Sequence, residues 1–220
     1  EESVQLATLH DLVPEGGAAI AEPDAEVARL KASAKLVDAI GAAVTYYEKP
    51  PSKGMSISTP WADLWLSRAE WAEAFDTADP GTDHNEARGQ VWEALLEILT
   101  DKLEDGDIPP HVLRRCVARD EELTRTFAKA WPLLNPANVV ADLWSVPAYL
   151  RRCAPWLADG AVGMLQRPDP PAWTTSDLPL LDAARQRIGD PEQTRRQQRR
   201  RAALAAQREQ MTSVVDDLIA

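Results

Sequence analysis

The sequence predicts a mostly α-helical fold, an irregular multi-helix domain with at most a small β element near the N-terminal third. Three observations predict it. From residue 24 onward, apolar residues recur every three or four positions, which is the period of an amphipathic helix. Fifteen of the seventeen prolines lie after residue 24 and divide that pattern into short segments, because proline cannot continue a helix. The alternation of apolar and polar residues that is typical of strands is confined to a few short stretches.

The first third of the chain contains the predicted β element. A weak alternation over Val4–Leu9 indicates a short strand. A single helix is predicted over residues 24–44, with Asp24 as its N-cap. Two further strands, at residues 55–58 and 64–66, are expected to pair as a small hairpin around a proline.

The rest of the chain is predicted to be helical. The segment 85–103 is the strongest helix, because its aliphatic residues line one face. The proline-rich stretch 168–171 reads as a stiff linker, so we expect a division into residues 1–170 and 171–220. The predicted helices span residues 68–77, 85–103, 112–117, 121–131, 137–144, 148–157, 175–188 and 191–220.

Eight tryptophans are a large number for 220 residues. We expect Trp61, Trp65 and Trp71 to form an exposed contact patch, because they cluster near an acidic turn. The remaining expectations concern the core, where large apolar side chains at helical spacing are normally buried. The residues expected in the core are Trp92, Leu95, Trp131, Leu133, Leu143, Trp144, Leu178 and Leu181.

Charge is distributed unevenly along the chain, whose net charge is −11. Residues 1–110 carry 22 acidic and 8 basic side chains, a net charge of −14, whereas residues 111–220 carry 13 acidic and 16 basic side chains, a net charge of +3. The arginines between Arg185 and Arg208 have three open interpretations: a nucleic-acid contact, a solvated helix face, or a linker to a neighbouring domain.

Acidic residues gather at two predicted turns. They are Asp76, Asp79, Asp83 and Glu86 at the first turn, and Asp101, Glu104, Asp105 and Asp107 at the second. Neither set has the spacing of an EF-hand calcium loop. Solvated carboxylates at helix ends are one interpretation, and contact with a basic partner surface is the other.

Several function classes lack the residues that they require. No glycine-rich phosphate loop and no acidic Mg²⁺ motif occur, and the three histidines and two cysteines are not at metal-ligand spacing. The chain also has no apolar run that is long enough to cross a membrane. We therefore expect no catalytic, cofactor or metal site in this chain. We also expect the chain to be cytoplasmic and monomeric. Because it begins without Met, we expect a piece of a longer protein.

Three stretches together resemble the actinobacterial HelD/HelR proteins, which are helicase-like ATPases of the UvrD/Rep superfamily that bind RNA polymerase. The first is His84-Asn85-Glu86-Ala87-Arg88, at the start of the long helix. The second is Ala130-Trp131-Pro132-Leu133-Leu134-Asn135-Pro136, followed by Asp142-Leu143-Trp144-Ser145. The third runs from Ala172-Trp173-Thr174 to Asp182-Ala183-Ala184. The resemblance covers nearly the whole chain.

The resemblance implies that residues 1–170 form the family-specific insertion in the first RecA-like domain and that residues 171–220 lead back into the ATPase core. The parent protein would bind ATP and Mg²⁺ outside this chain. The insertion would enter the primary channel of core RNA polymerase, open the clamp and help to recycle stalled complexes, without binding nucleic acid directly. The residues expected to contact the polymerase are Asp79, Asp83, Asp101, Glu104, Asp105, Asp107, Trp61 and Trp65.

The alternative hypothesis is that the chain is a domain of a different superfamily 1 DNA helicase. Its arginine-rich final helix, from Arg195 to Arg208, would then contact the backbone phosphates of DNA. The two hypotheses use opposite charges on different parts of the chain, so binding experiments distinguish them.

Overall fold

Short helices make up most of the chain, as predicted. The computed structural model describes residues 8–103 and 108–190, together with residues 196, 199, 200, 203 and 204. Within these ranges the chain forms eleven α-helices and one two-stranded antiparallel sheet. Among the described helices, none combines the length and the apolar character that a membrane span requires.

The helices follow one another closely along the chain. They are α1 (Leu9–Leu12), α2 (Ala25–Lys31), α3 (Ala34–Thr45), α4 (Arg68–Phe75), α5 (His84–Asp101), α6 (Pro110–Ala118), α7 (Glu121–Ala130), α8 (Pro136–Ser145), α9 (Pro147–Cys153), α10 (Asp159–Leu165) and α11 (Leu178–Ile188). The strands β1 (Met55–Ser58) and β2 (Asp63–Leu66) form a hairpin between α3 and α4. Two 3₁₀ turns, Gly16–Ala18 and Thr175–Asp177, complete the described elements.

Side-chain caps and prolines determine where the helices begin. A side-chain oxygen at the N-cap accepts a hydrogen bond from a free backbone N–H of the first turn, which would otherwise lack a partner. Prolines lie in the first turn of α6, α8, α9 and α11, where a missing N–H costs nothing. The residues that cap α2, α4, α5, α7 and α8 in this way are Asp24, Ser67, Asp83, Asp120 and Asn135.

The buried side chains form two hydrophobic clusters. The first joins α2 and α3 to α8–α11, so it combines residues from both ends of the described chain. The second contains the hairpin and α4–α7 and is continuous in sequence, from Ile57 to Trp131. The segment that forms the second cluster is therefore inserted between two parts of the first. Helix α11 packs on α3 and α8, so the boundary expected at residue 170 lies inside the first cluster.

Two predicted helices differ from those observed. The single helix predicted over residues 24–44 is interrupted at Ala32 and Ser33, because Ser33 has an extended backbone and begins α3. The helix predicted over residues 148–157 ends at Cys153, shortly before Pro155. Helix α10 was missed, because two glycines weaken its helical pattern.

Most of the residues expected in the core are buried, with two exceptions. Trp92 and Leu133 are only half-buried, and the adjacent Leu134 takes the core position instead. Trp71, expected in an exposed patch, is fully buried in the second cluster, so that prediction was wrong. The buried residues among those expected are Leu95, Trp131, Leu143, Trp144, Leu178 and Leu181.

Two predicted elements lie wholly or partly outside the described residues. The strand predicted over Val4–Leu9 is undescribed up to residue 7, and Leu9 belongs to helix α1. Of the helix predicted over residues 191–220, the structure describes five positions, all helical.

Candidate partner-binding surface

The first two stretches that carry the family resemblance lie in contact with each other. The carboxamide of Asn85, in α5, accepts a hydrogen bond from the backbone N–H of Leu134 at 3.0 Å and donates one to the Leu134 carbonyl at 2.9 Å. The indole N–H of Trp131 donates to the carbonyl of His84 at 2.9 Å. These bonds are buried, and they join the second cluster to the start of α8 in the first.

His84 extends this junction to α3 and α11. Its ring stacks on Trp131, with centroids 5.1 Å apart. Its Nε2 lies 2.8 Å from the Pro132 carbonyl, and its Nδ1 lies 3.0 Å from Oε1 of Glu48, just beyond α3. Arg187 of α11 donates to the other oxygen of Glu48 at 2.6 Å. Polar side chains therefore close the junction between the two clusters.

The third stretch contributes to a buried ion network. Asp177 lies 2.9 Å from the ammonium of Lys31 and 2.8 Å from the guanidinium of Arg167. Lys31 also donates to Glu22 at 2.7 Å. Burial raises the pKa of the Asp177 carboxyl, but hydrogen bonds from Arg167 and the Thr174 N–H, with the charge of Lys31, outweigh burial and hold that pKa below its usual value.

The family-like stretches therefore have a structural role. Their polar groups pair with one another and with α2, α3 and α11, and the central members His84, Asn85 and Asp177 are fully buried. Side chains buried in this way are unavailable to a partner. A partner-binding surface must be formed by other, exposed residues.

The exposed face of α5 carries an acidic stripe, which we define as Asp79, Glu86, Glu93, Glu97 and Asp101. The last four are exposed and are separated by seven, four and four residues, spacings that place them on one side of a helix. The stripe runs about 22 Å along α5 at 1.5 Å per residue. Among these four, Glu93 forms an ion pair with Arg114 of α6.

Asp79 and Asp83, both predicted to contact the polymerase, have different environments at the start of α5. Asp79 is exposed and is held at the stripe by Gln90, which donates to its carboxylate at 2.9 Å and accepts from its backbone N–H at 3.0 Å. Asp83 instead caps α5 by accepting from the Glu86 N–H at 2.8 Å. Gly189, with φ of +82°, lies so close that an added Cβ would be 2.3 Å from the Asp83 carboxylate. Asp83 therefore has a structural role, as the N-cap of α5 packed against Gly189.

The hairpin presents two exposed tryptophans beside the far end of α5. Alternation along β2 buries Leu64 and Leu66 and turns Asp63 and Trp65 outward. The Trp65 side chain is 58% exposed, and Trp61, in the turn, is 44% exposed. We call Trp61, Asp63 and Trp65 the aromatic hairpin face. An exposed indole beside carboxylates is suited to contact with a basic protein surface, because arginine stacks on aromatic rings.

Lys102 joins the aromatic hairpin face to the acidic stripe. Its ammonium donates to the Trp65 carbonyl at 2.6 Å and pairs with Glu70 at 2.5 Å, directly after Asp101 at the end of α5. This hydrogen bond links β2 to the end of α5, where Asp101 lies, and Asp79 lies at the opposite end of the stripe. The other predicted contacts at this turn, Glu104, Asp105 and Asp107, lie outside the described residues.

A cleft of about 440 Å³ opens between the two clusters near Asp79. Its charged lining residues include Glu48 and Arg187, which are paired with each other, and Asp76 and Asp79. Within the described ranges, no group of three or more His, Cys, Asp or Glu side chains is arranged to hold a metal ion.

Sequence reasoning missed the middle of the acidic stripe. Glu93 and Glu97 were not singled out, although their spacing from Glu86 and Asp101 places all four on one helical face. The sequence predictions name acidic residues at turns, where they are adjacent in the sequence, and leave out the carboxylates that align only on the surface of α5.

No known family model matches this chain, and no curated protein shows significant sequence similarity to it.

Proposed function

We propose that this chain is a protein-interaction module that binds the basic channel of bacterial RNA polymerase core. As the resemblance to the HelD/HelR proteins implies, it would wedge into the primary channel, open the clamp and help to release nucleic acid from stalled complexes. The parent protein would supply ATP hydrolysis. The observation that carries this proposal is the row of exposed carboxylates along α5, from Glu86 to Asp101, together with the exposed Trp65 on the hairpin that Lys102 links to the end of α5.

The physical basis is competition between two anions for one basic surface. Carboxylates spaced along about 22 Å of helix present a row of negative charge, as a nucleic-acid strand does. Attraction of this kind steers association and weakens as salt screens it over roughly 8 Å at physiological ionic strength. Trp65 adds an aromatic contact of the type that often dominates affinity at protein interfaces.

The test is a pull-down of purified core RNA polymerase by the 220-residue chain, repeated at rising salt. We expect retention of the polymerase at low salt and its progressive loss as the salt concentration increases. A gel shift with single-stranded and duplex DNA, done in parallel, examines the alternative that the chain is a DNA helicase domain. One combined result would support that alternative and overturn the proposal. In that result, the chain does not retain polymerase, and it binds DNA in a way that is lost when four arginines are neutralised: Arg195, Arg196, Arg199 and Arg200.

A further inference from the structure

A basic cleft lies between α5 and α6, beside the acidic stripe. It has a volume of about 230 Å³, and none of the described residues that line it is acidic. Four of these six described residues are basic, although the whole chain carries a net charge of −11. The lining consists of Leu96 from α5 and of His111, Arg114, Arg115, Ala118 and Arg119 from α6.

The fold of α6 turns these basic side chains to one side. His111, Arg115 and Arg119 are four residues apart, so they follow one another along the helix surface. Leu113 and Val117, on the other side of α6, are buried in the second cluster and fix how the helix lies. The positive charges of Arg115 and Arg119, four residues apart, repel each other and destabilise the helix. A bound anion would relieve that repulsion.

The three arginines differ in their partners. Arg114 forms an ion pair with Glu93 of the acidic stripe. For Arg115 and Arg119, the described part of the chain provides no carboxylate at ion-pair distance, and both are exposed. Within the described part of the chain, the guanidinium groups of Arg115 and Arg119 therefore keep N–H donors that could bind an anion.

The chemistry of these donors favours a phosphate over a carboxylate. A guanidinium presents paired N–H groups that match the oxygens of either anion. A carboxylate offers two oxygens in one plane, whereas a phosphate group offers at least three oxygens around a tetrahedral centre and can accept from donors on several sides. Two arginines and an imidazole around one cavity suit the phosphate.

We propose that the basic cleft binds the phosphate group of a nucleotide or of a nucleic-acid strand. Arg115 and Arg119 would bind the phosphate oxygens, and His111 would donate a further hydrogen bond. This site goes beyond the proposed contact with RNA polymerase, because it uses the opposite charge and different residues.

The experiment titrates the 220-residue chain with pyrophosphate, with ATP and with a short single-stranded oligothymidylate, using calorimetry and the NMR signals of the arginine Nε–H groups. We expect saturable binding that weakens as salt is added. Binding of pyrophosphate and ATP supports a free phosphate compound as the ligand, and binding of the oligonucleotide alone supports a nucleic-acid strand.

The decisive variant is Arg115→Ala combined with Arg119→Ala, which should lower the affinity by about tenfold or more. The matched control is Arg68→Ala combined with Arg125→Ala, which removes the same charge from exposed arginines outside the cleft and should change affinity by less than about twofold. Both variants alter exposed side chains, and circular dichroism checks that they fold. Three results would overturn the proposal: no saturable binding of any probe, equal losses in both variants, or equally tight binding of oligoglutamate.

Discussion

The side chain of Asn85 pairs with the backbone of Leu134 through two hydrogen bonds, as a neighbouring strand would. One runs from the Leu134 N–H to Oδ1 at 3.0 Å, and the other runs from Nδ2 to the Leu134 carbonyl at 2.9 Å. Asn85 is fully buried at the start of α5, and Leu134 belongs to the first cluster. One amide therefore connects the two hydrophobic clusters.

Replacement of Asn85 by alanine tests this connection. Asn85→Ala leaves a buried N–H and a buried carbonyl of Leu134 without partners, so we expect the free energy of unfolding to fall by about 2 to 4 kcal/mol. Chemical denaturation measures the loss. The control Asn138→Ala alters an exposed asparagine on α8 and should change stability by less than about 0.5 kcal/mol. Equal stabilities of the two variants would contradict the connecting role.

Trp131 is the largest side chain at the junction of the two clusters. It packs edge-on against Phe75 at 5.1 Å and stacks on His84. We expect Trp131→Ala to lower the free energy of unfolding by about 3 to 5 kcal/mol, because transfer energy is lost and a cavity forms. The exposed Trp61 provides a control, since Trp61→Ala should cost less than about 1 kcal/mol in the same denaturation experiment.

The aromatic hairpin face is tested by removing Trp65 or by displacing it. Trp65→Ala should weaken polymerase binding by about 2 kcal/mol if Trp65 is a hot spot, with little change in stability. A Cβ at Gly54 would lie 2.6 Å from both the Trp65 ring and the Leu66 carbonyl, so Gly54→Ala should move the indole and weaken binding as well. Calorimetry with core polymerase measures both effects. Unchanged affinity in the two variants would remove the hairpin face from the proposed interface.

The acidic residues around the end of α5 and the arginines of the final helix are expected to differ in their effect on polymerase binding. Neutralising Asp101, Glu104, Asp105 and Asp107 together, or Glu97 with Asp101, should weaken binding and flatten its salt dependence, by about 1 kcal/mol or less per residue. Neutralising Arg195, Arg196, Arg199 and Arg200 should have little effect. Association kinetics at several salt concentrations give the ranking. Dominant arginines and silent acids would contradict the channel-binding proposal.

The buried ion network predicts loss of stability in acid. The pKa of Asp177 is depressed in the folded chain, so its contribution is fully present above the unfolded pKa of about 4 and is lost as the pH falls through the lower folded value. Glu22 and Glu48 act in the same direction, because each, despite burial, has a pKa lowered by a cationic partner. Unfolding free energies measured from neutral pH down to about pH 3 should therefore decrease, most steeply below about pH 4.

Asp177→Asn separates the network from general acid effects. At neutral pH the variant should lose about 3 kcal/mol, because the buried Lys31 and the partly buried Arg167 lose the anion that they share, although Lys31 keeps its pair with Glu22. Its stability should also depend less on pH than that of the wild type. The control Asp38→Asn changes an exposed carboxylate on α3 and should leave stability at neutral pH nearly unchanged. A variant as acid-sensitive as the wild type would exclude Asp177 as a source of the pH dependence.

The helical class, the hairpin and most helix limits can be predicted from the amino-acid sequence. These follow from local chemistry: the apolar period, capping side chains such as Asp83 and Asn135, and prolines in first turns.

Which surfaces pack against each other depends on the three-dimensional fold. Trp65 is exposed and Trp71 is buried although they are six residues apart, because burial depends on what packs over each ring. The pairing of Asn85 with Leu134 likewise joins groups that are 49 residues apart in sequence. Periodicity identifies the apolar face of a helix, but it contains no information about the partner of that face. Spacing alone places the acidic stripe on one face of α5, but that face is exposed because the opposite face of the helix is buried in the core.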